Sequence, residues 1–361
     1  MTMEPEHGRN ILEGVVNVGY HGLTGDNRFP EDLPFPGCLT SLIEYLKPDA
    51  FPKVEFKING ETKIERRGNS EFVAASGMGF GILFADDWSP NMLDFTLVSK
   101  HADTVRGAMN AAGFSYLSLP QIDTPREEMK MAIIKAIDEG KPVLAFLPEC
   151  ALITGYDKKG DVMIGWAYNQ PDAPWAKEDN GMYRDGDWYE HTMKVVIPDK
   201  ELPHRSDFFT TLFWGCEVMT RTEINGMFAG CEAYNHWIRA VLDPEIETWD
   251  DEILQSRHSI HHALVGTLAE ARWWLHHYLL RHSSHYEIKM AAENAANIHK
   301  KAWDVWAALD AVSAGPYLHL NFKEPKRREH IAALLTEMQY EDAQMLNHIQ
   351  NALSDRRFRG K

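Results

Sequence analysis

Hydrophobic positions follow two different spacings along the chain, and the change falls near residue 200. Before it, short apolar runs of strand length alternate with helical patterns, and Gly and Pro residues separate them. After it, apolar residues recur almost everywhere at i, i+3 and i+4, which is typical of amphipathic helices. The sequence therefore predicts an α+β domain over 1–200 and a helical domain over 201–361.

The first domain is predicted to carry most of its strands in its second half. Asn59-Gly60 favours a two-residue hairpin turn between alternating segments, and Thr124-Pro125 favours a helix start. The predicted elements are a strand at 10–20, a helix at 38–46, a hairpin at 54–65, a helix at 102–112, a strand at 114–119, a helix ending near 139, and strands at 142–147, 151–156, 161–168 and 192–198. Late antiparallel strands after early helices are typical of the α+β class.

In the second domain, helical spacing extends over long segments. The predicted helices are 206–221, 227–242, 250–282, 285–312 and 325–353. Pro244, Gly315-Pro316 and Pro325 separate the later ones. No internal repeat is visible.

Composition and net charge limit the partners and the cellular compartment that the protein is expected to have. A chain of 361 residues with a net charge of −16 lacks the basic surface that nucleic acids and anionic membranes attract. The N-terminal segment has no apolar signal region, and no apolar run approaches bilayer-spanning length. Four cysteines without CxxC spacing favour a reducing compartment. A cytoplasmic protein without nucleic-acid or membrane partners is expected.

Cys38 follows Pro36-Gly37 and directly precedes a helical pattern. Unpaired amides and the dipole at a helix N-terminus stabilise a thiolate, so a cysteine there is a candidate nucleophile. The alternative is packing under the first turn, because free cysteine is among the most buried residue types. Position alone favours packing.

A later segment resembles the histidine-bearing hairpin of papain-like enzymes. Residues 139–170, EGKPVLAFLPECALITGYDKKGDVMIGWAYNQ, place apolar strands around a Gly-Tyr-Asp turn. With other segments, they resemble the N-terminal domain of butirosin biosynthesis protein H and its relatives, which are similar to bacteriocin-processing double-glycine peptidases. The other segments are ILEGVVNVGYHG, FPGCLTSLIEYL, SGMGFGILF and GMFAGCEAYNHWIRAV, so the likeness covers most of 11–245.

The resemblance implies a papain-like cysteine-protease fold and a cysteine-dependent acyltransferase or amidohydrolase that works through a thioester. Cys38 matches the nucleophile, and amides at the start of its helix would form an oxyanion hole. Glu149 stands where the family carries its histidine, six residues before Gly155. Trp166 and Asn169 fall where the residue orienting the base is expected, and both are assigned to the substrate site. No metal or organic cofactor is required, whereas an acyl thioester, by family analogy on an acyl carrier protein, fits as donor.

Two side chains are candidates for the base. Glu149 beside Cys38 would disfavour the thiolate by like-charge repulsion, and an ordinary carboxylate matches a thiol poorly. His21, in the loop GYHGLTGD, is expected to approach the start of the Cys38 helix and is the alternative. Cys38, Glu149 and His21 are therefore the candidate catalytic residues.

The segment SGMGFG at 76–81 contains glycines in a pattern that superficially suggests phosphate binding. No helical pattern follows it, so a dinucleotide site is not favoured, and a glycine-rich bend with close packing is the simpler interpretation. In the papain-like arrangement Gly77 and Phe80 would line the cleft. Asp86, just beyond, would attract an amine substrate.

The helical domain is rich in histidine, and His258 and His262 share one predicted helix face. This i, i+4 spacing can bind a transition metal, but the sequence lacks an HExxH motif, and structural or solvated histidines are favoured. A metal-dependent enzyme using these two histidines is the third hypothesis.

The favoured function is a cysteine-dependent acyltransferase or amidohydrolase acting on a small amide or acyl substrate. The second hypothesis is a non-catalytic papain-like protein that binds a small molecule, since the family histidine is missing. A homo-oligomer is compatible with the sequence.

Overall fold

The protein is described from a computed structural model. The described residues are 8–18, 33–51, 54–58, 61–65, 68–93, 103–147, 150–167, 176–178, 180–309 and 315–355. They form two compact units. The first comprises 1–72 and 109–205, and the second 73–108 and 206–361.

Strands and helices alternate through the first 200 residues, and helices dominate afterwards. The strands are β1 (Asn10–Ile11), β2 (Val54–Ile58), β3 (Glu61–Glu65), β4 (Leu83–Phe84), β5 (Phe114–Pro120), β6 (Val143–Phe146), β7 (Cys150–Asp157), β8 (Val162–Ala167), β9 (Ala176–Lys177), β10 (Tyr183–Asp185), β11 (Lys194–Glu201), β12 (Glu223–Ile224) and β13 (Met227–Ala229). The helices are α1 (Pro34–Leu46), α2 (Asn69–Ala75), α3 (Asp103–Ala112), α4 (Arg126–Asp138), α5 (Trp188–His191), α6 (Phe208–Thr220), α7 (Gly230–Val241), α8 (Asp251–His282), α9 (Tyr286–Leu309) and α10 (Pro325–Ser354).

The first unit is built on an antiparallel sheet. Its strand order is β5-β11-β6-β7-β8-β10-β9, and β1 pairs with β7. β6 is buried along its whole length and β7 along nearly all of it, the burial expected of short apolar strands covered on both faces. α1 and α4 both pack on these two strands. The predictions of a mixed α+β class, of antiparallel strands and of a C-terminal helical region are therefore confirmed.

The hairpin β7–β8 differs from its prediction in the place of the turn. Gly155 and Tyr156 lie inside β7, and the turn is the 3₁₀ segment Lys158–Gly160, in which Lys159 has φ of 57°. A Cβ on Gly155 would lie 2.7 Å from the carbonyl oxygen of Asn10 in β1. This glycine is required by the close approach of a neighbouring strand, not by a turn.

The second unit contains all of the long helices that the apolar spacing predicts. They are α6 to α10, and their bounds agree with the prediction to within a few residues at most ends. A small antiparallel sheet of order β12-β13-β4, which the sequence did not predict, belongs to the same unit. The unit also includes 73–108, whereas the predicted domain division lies at residue 200 alone.

A fully buried arginine organises the second unit around the segment 79–81. Arg272 on α8 donates from Nε and Nη2 to the two carboxylate oxygens of Asp342 on α10, at 3.0 and 2.8 Å. Its Nη1 and Nη2 also donate to the carbonyls of Gly79, Gly81 and Phe80. A buried guanidinium is tolerated because the carboxylate and carbonyls satisfy its N–H groups.

His261 on α8 is buried and neutral. Burial lowers its pKa to about 3, with smaller contributions from His262 and His258. Its Nδ1 accepts a hydrogen bond of 3.1 Å from Nε1 of Trp237. Protonation of Nδ1 would remove this acceptor.

Acid is therefore expected to destabilise the second unit through His261. On unfolding, the pKa of His261 returns to about 6.5. The stability that depends on neutral His261 is therefore fully present above pH 6.5 and is lost progressively as the pH falls towards 3. His261→Asn keeps an acceptor for Trp237 but removes the titration. Between pH 7 and pH 5, the free energy of unfolding in urea should fall by about 2 kcal/mol more in the wild type than in His261→Asn. Equal losses in the two proteins would contradict the assignment.

No helix in the described ranges combines the length and the apolar character needed to cross a bilayer.

Candidate functional site

Cys38 lies one turn inside its helix, which corrects the prediction that it starts the helix. α1 begins at Pro34, so Cys38 is its fifth residue. Proline fits the first turn because its φ is already helical and its missing N–H would have had no helical partner. Gly37 N–H donates to the carbonyl of Leu33 at 3.0 Å. The predicted oxyanion hole therefore lacks donors from Pro34, Pro36 and Gly37, and the helix dipole acts on Cys38 more weakly.

The Cys38 thiol is held against the start of β7. Its Sγ donates to the carbonyl oxygen of Cys150 at 3.4 Å, and its side chain is 0% exposed. Phe35 of the same helix packs on Phe146 of β6, with ring centroids 5.5 Å apart. The apolar packing of α1 on the β6–β7 pair thus fixes the position of the sulfur.

Three candidate site residues lie outside the described residues: His21, Glu149 and Asn169. Glu149 directly precedes Cys150 in the sequence. Cys38 therefore contacts the residue that directly follows Glu149 in the sequence. The catalytic roles of Glu149 and His21 and the binding role of Asn169 stay predictions.

Trp166 lies on β8, opposite Leu152 of β7. Because side chains alternate along strands, Trp166 shares a sheet face with Leu152 and Cys150. The same face carries Phe146, on which Phe35 of α1 packs. Trp166 Nε1 is buried and has no hydrogen-bond partner in the part of the chain that the structure describes. A buried N–H donor without a partner is uncommon in folded proteins, which makes Trp166 a residue to test.

Tyr183 lies at 3% exposure on β10 and packs with Leu147, Ala151 and Ala167. Burial raises the pKa of its phenol far above the ordinary value, and the charges of Asp185, Cys38 and Cys150 add to the effect. The phenol therefore stays protonated and is no candidate for the base.

Gly77 and Phe80 belong to the second unit, unlike Cys38 and Trp166. Gly77 has φ of 87°, and a Cβ there would lie 2.7 Å from Nε1 of Trp214. The Phe80 ring is 1% exposed, and a Cβ on Gly215 would come within 2.7 Å of it. These contacts are close packing, as the glycine-rich interpretation predicts, while the binding roles of Gly77 and Phe80 stay predictions.

Asp86 also belongs to the second unit, where it bonds to a histidine. Its Oδ1 lies 2.7 Å from Nδ1 of His236 on α7. The His236 ring stacks on Phe228 of β13. Sequence reasoning missed His236, because 150 residues separate it from Asp86 and its own helix shows only ordinary amphipathic spacing.

The two histidines of the metal hypothesis do meet. The rings of His258 and His262 lie 4.3 Å apart between centroids, and burial lowers the pKa of His262. No group of three His, Cys, Asp or Glu side chains among the described residues is placed to hold a metal ion. Within those residues, the pair therefore lacks a third protein ligand. Aromatic packing explains why the two rings lie close together.

The fold and the Cys38 region define a mixed α+β protein in which a helix cysteine meets a buried antiparallel strand. No protein-family model matches the chain, and no curated protein is significantly similar to it.

Proposed function

We propose that the chain is a cysteine-dependent acyltransferase or amidohydrolase of papain-like type, with Cys38 as the nucleophile. One observation carries the proposal: the Cys38 sulfur lies 3.4 Å from the carbonyl oxygen of Cys150, the residue that follows Glu149. Papain-like enzymes bring the cysteine of a helix to the strand that carries the base. The contact supports that arrangement with Glu149 in the place of the base.

The reaction needs the thiol proton to be transferred before or during attack. Glu149 would accept the proton from Cys38, and the sulfur would form a bond to the acyl carbon of the substrate. The leaving amine or thiol would depart with a proton from Glu149, leaving a thioester on Cys38. Attack by an amine gives transfer, and attack by water gives hydrolysis.

In this proposal, Trp166 binds the acyl group of the substrate. Its indole N–H is buried and has no partner among the described residues, on the sheet face that also carries Cys150. The first turn of α1 contributes few donors, since two of its residues are proline. We therefore assign the substrate carbonyl to the Trp166 N–H.

An acylation experiment tests the proposal. The protein is incubated at neutral pH with a small acyl thioester, S-acetyl-N-acetylcysteamine, and the acetylated peptide is located by mass spectrometry. Acetylation should occur at Cys38. Glu149→Gln should slow it by about 100-fold, the lower end of what a general base contributes. Trp166→Phe should slow it by about 10-fold, as expected for the loss of one hydrogen bond to the acyl oxygen.

The other cysteines provide the comparison. Burial raises the pKa of Cys216, which is half-buried, to about 11. Partial burial of its thiol also raises the pKa of Cys231, although the residue as a whole is exposed. Cys231→Ser should leave acetylation of Cys38 unchanged. Acetylation of Cys231 at the same rate as Cys38, or no acetylation of Cys38, would refute the nucleophile role.

One observation favours a second candidate function, non-catalytic binding of a small molecule. The Cys38 side chain is 0% exposed and its thiol donates to a carbonyl, which is the environment of a packing residue. In that case Cys38→Ala should retain ligand binding. Iodoacetamide should then label Cys38 no faster than Cys231.

A further inference from the structure

The second unit contains a polar cavity that the proposed cysteine chemistry does not use. Its volume is about 250 Å³, slightly below the range of about 300–1,000 Å³ that is typical of pockets for drug-sized ligands. A small metabolite fits such a space. The charged and aromatic side chains that line it are Asp86, Trp88, His236, Arg239, Asp243 and Arg257.

Two arginines of the cavity, Arg239 and Arg257, form no ion pair within the described residues. Arg239 on α7 is exposed and donates from Nε to the carbonyl of Asn235 at 3.3 Å. Arg257 on α8 is half-buried, and its guanidinium lies 4.0 Å from the ring centroid of Trp249. Neither forms an ion pair with a carboxylate of the described residues. Their N–H groups are therefore available to an anion.

The two carboxylates of the cavity are engaged by other groups. Asp86 bonds to Nδ1 of His236 at 2.7 Å. Asp243 accepts the backbone N–H of Glu245 at 2.9 Å and caps the 3₁₀ segment Pro244–Thr248. Both carboxylates keep their negative charge, so the formal charges of the cavity balance. What the arginines offer a ligand is N–H donors that no carboxylate of the described residues binds. The Asp86 bond also fixes which His236 nitrogen remains for a ligand, namely Nε2.

Trp88, which lines the cavity, is held by close aromatic packing. Trp88 is 3% exposed and has φ of 58°, a left-handed conformation that is uncommon for a residue other than glycine. Edge-to-face contacts with Phe84 and Phe322 hold its ring, at centroid distances of 5.3 and 6.0 Å. Conformations of this kind persist only where the surrounding packing fixes them, and they are frequent at ligand sites.

We propose that this cavity binds the phosphate group of a small phosphorylated molecule. Arg239 and Arg257 contact the phosphate oxygens through their planar N–H groups, and His236 Nε2 is the third group that faces the ligand. A phosphate presents enough oxygens to accept N–H groups from both guanidinium groups at once, whereas a single carboxylate has only two oxygens. Asp86 and Asp243 keep oxygen lone pairs that can accept hydrogen bonds from hydroxyl groups of the ligand.

Binding of phenyl phosphate and of inorganic phosphate tests the proposal. Affinities are measured on the full chain by isothermal titration calorimetry at low ionic strength. The wild type should bind phenyl phosphate with a Kd of about 1 mM or lower, since one well-placed small group supports millimolar affinity. Arg239→Gln and Arg257→Gln should each weaken binding about 10-fold, and the double variant should abolish it.

The control removes an equal charge elsewhere in the same unit. Lys326 on α10 is exposed and does not line the cavity, so Lys326→Gln should leave the affinity unchanged. An equal loss in Lys326→Gln would mean that net charge alone drives binding, and would overturn the site. Acetate or succinate binding as tightly as phenyl phosphate would overturn the phosphate assignment. Unchanged affinity in the double variant would do the same. Acetylation of Cys38 is a separate readout, so the two proposals fail independently.

Discussion

Arg272→Met should lower the free energy of unfolding of the second unit by about 3–5 kcal/mol, the cost of leaving a buried charge without its partner. Methionine replaces the aliphatic part of the side chain but none of its N–H donors. Asp342, at 6% exposure, would keep a buried carboxylate whose remaining bond comes from Tyr234, at 2.9 Å. The carbonyls of Gly79 and Phe80 would also lose their donor. Urea unfolding followed by far-ultraviolet circular dichroism measures the change.

A partly exposed arginine supplies the control. Arg327 on α10 forms an ion pair of 2.7 Å with Glu324, three residues earlier, and donates to the carbonyl of Ala308 at 2.9 Å. Arg327→Met should cost about 1–2 kcal/mol, because solvent screens the ion pair and a single hydrogen bond contributes about 1 kcal/mol. Arg272→Met combined with Asp342→Leu should recover part of the loss by removing the orphaned charge. A loss in Arg272→Met no larger than in Arg327→Met would show that the buried network contributes little to stability.

Gly165→Ala should disrupt the pairing of β7 with β8 and cost about 3 kcal/mol or more, at or above the upper end for overpacked sites. A Cβ on Gly165 would lie 2.1 Å from the carbonyl oxygen of Leu152 and 3.0 Å from Cα of Ile153. Both are backbone atoms of the adjacent strand and cannot turn away. The strands would have to separate beside Trp166, so acetylation of Cys38 should fall as well.

Gly186→Ala is the control for this substitution. Nothing lies within 4 Å of a Cβ at Gly186, and its backbone does not require glycine. Its stability should stay within about 0.5 kcal/mol of the wild type. Thermal unfolding of the three proteins, monitored by circular dichroism, gives the comparison. A Gly165→Ala protein as stable as Gly186→Ala would mean that the strands adjust at little cost.

Local pattern predicted the types of the principal elements. Continuous apolar runs predicted β6, β7 and β8, and i, i+3/i+4 spacing predicted α6 to α10. The prediction of α1 was correct in type but placed its start four residues late. The cause is the segment PFPG at 34–37, which reads as a turn by composition although proline is well suited to a first helical turn. That shift changes the chemistry, because it removes Cys38 from the helix N-terminus.

Short elements were the main omissions. β9, β10 and α5 have two to four residues each, too few to show a period. β4, β12 and β13 are equally short. β12 and β13 form a local hairpin, but β4 pairs with β13 from a segment more than 130 residues earlier in the sequence. Such strands form because neighbouring elements present backbone partners to them, and no local propensity reports that.

The sequence by itself determined the α+β class, the antiparallel strands, the helical C-terminal region and Cys38 as a residue worth testing. Apolar periodicity suffices for these because burial of a strand face or a helix stripe is a local requirement. Only the tertiary structure decided which distant groups meet: Cys38 with Cys150, Arg272 with Asp342, and Asp86 with His236. Each pair joins residues 70 to 150 positions apart. Their contact depends on the packing of whole elements, which fixes the charges and donors of a site and which no local pattern encodes.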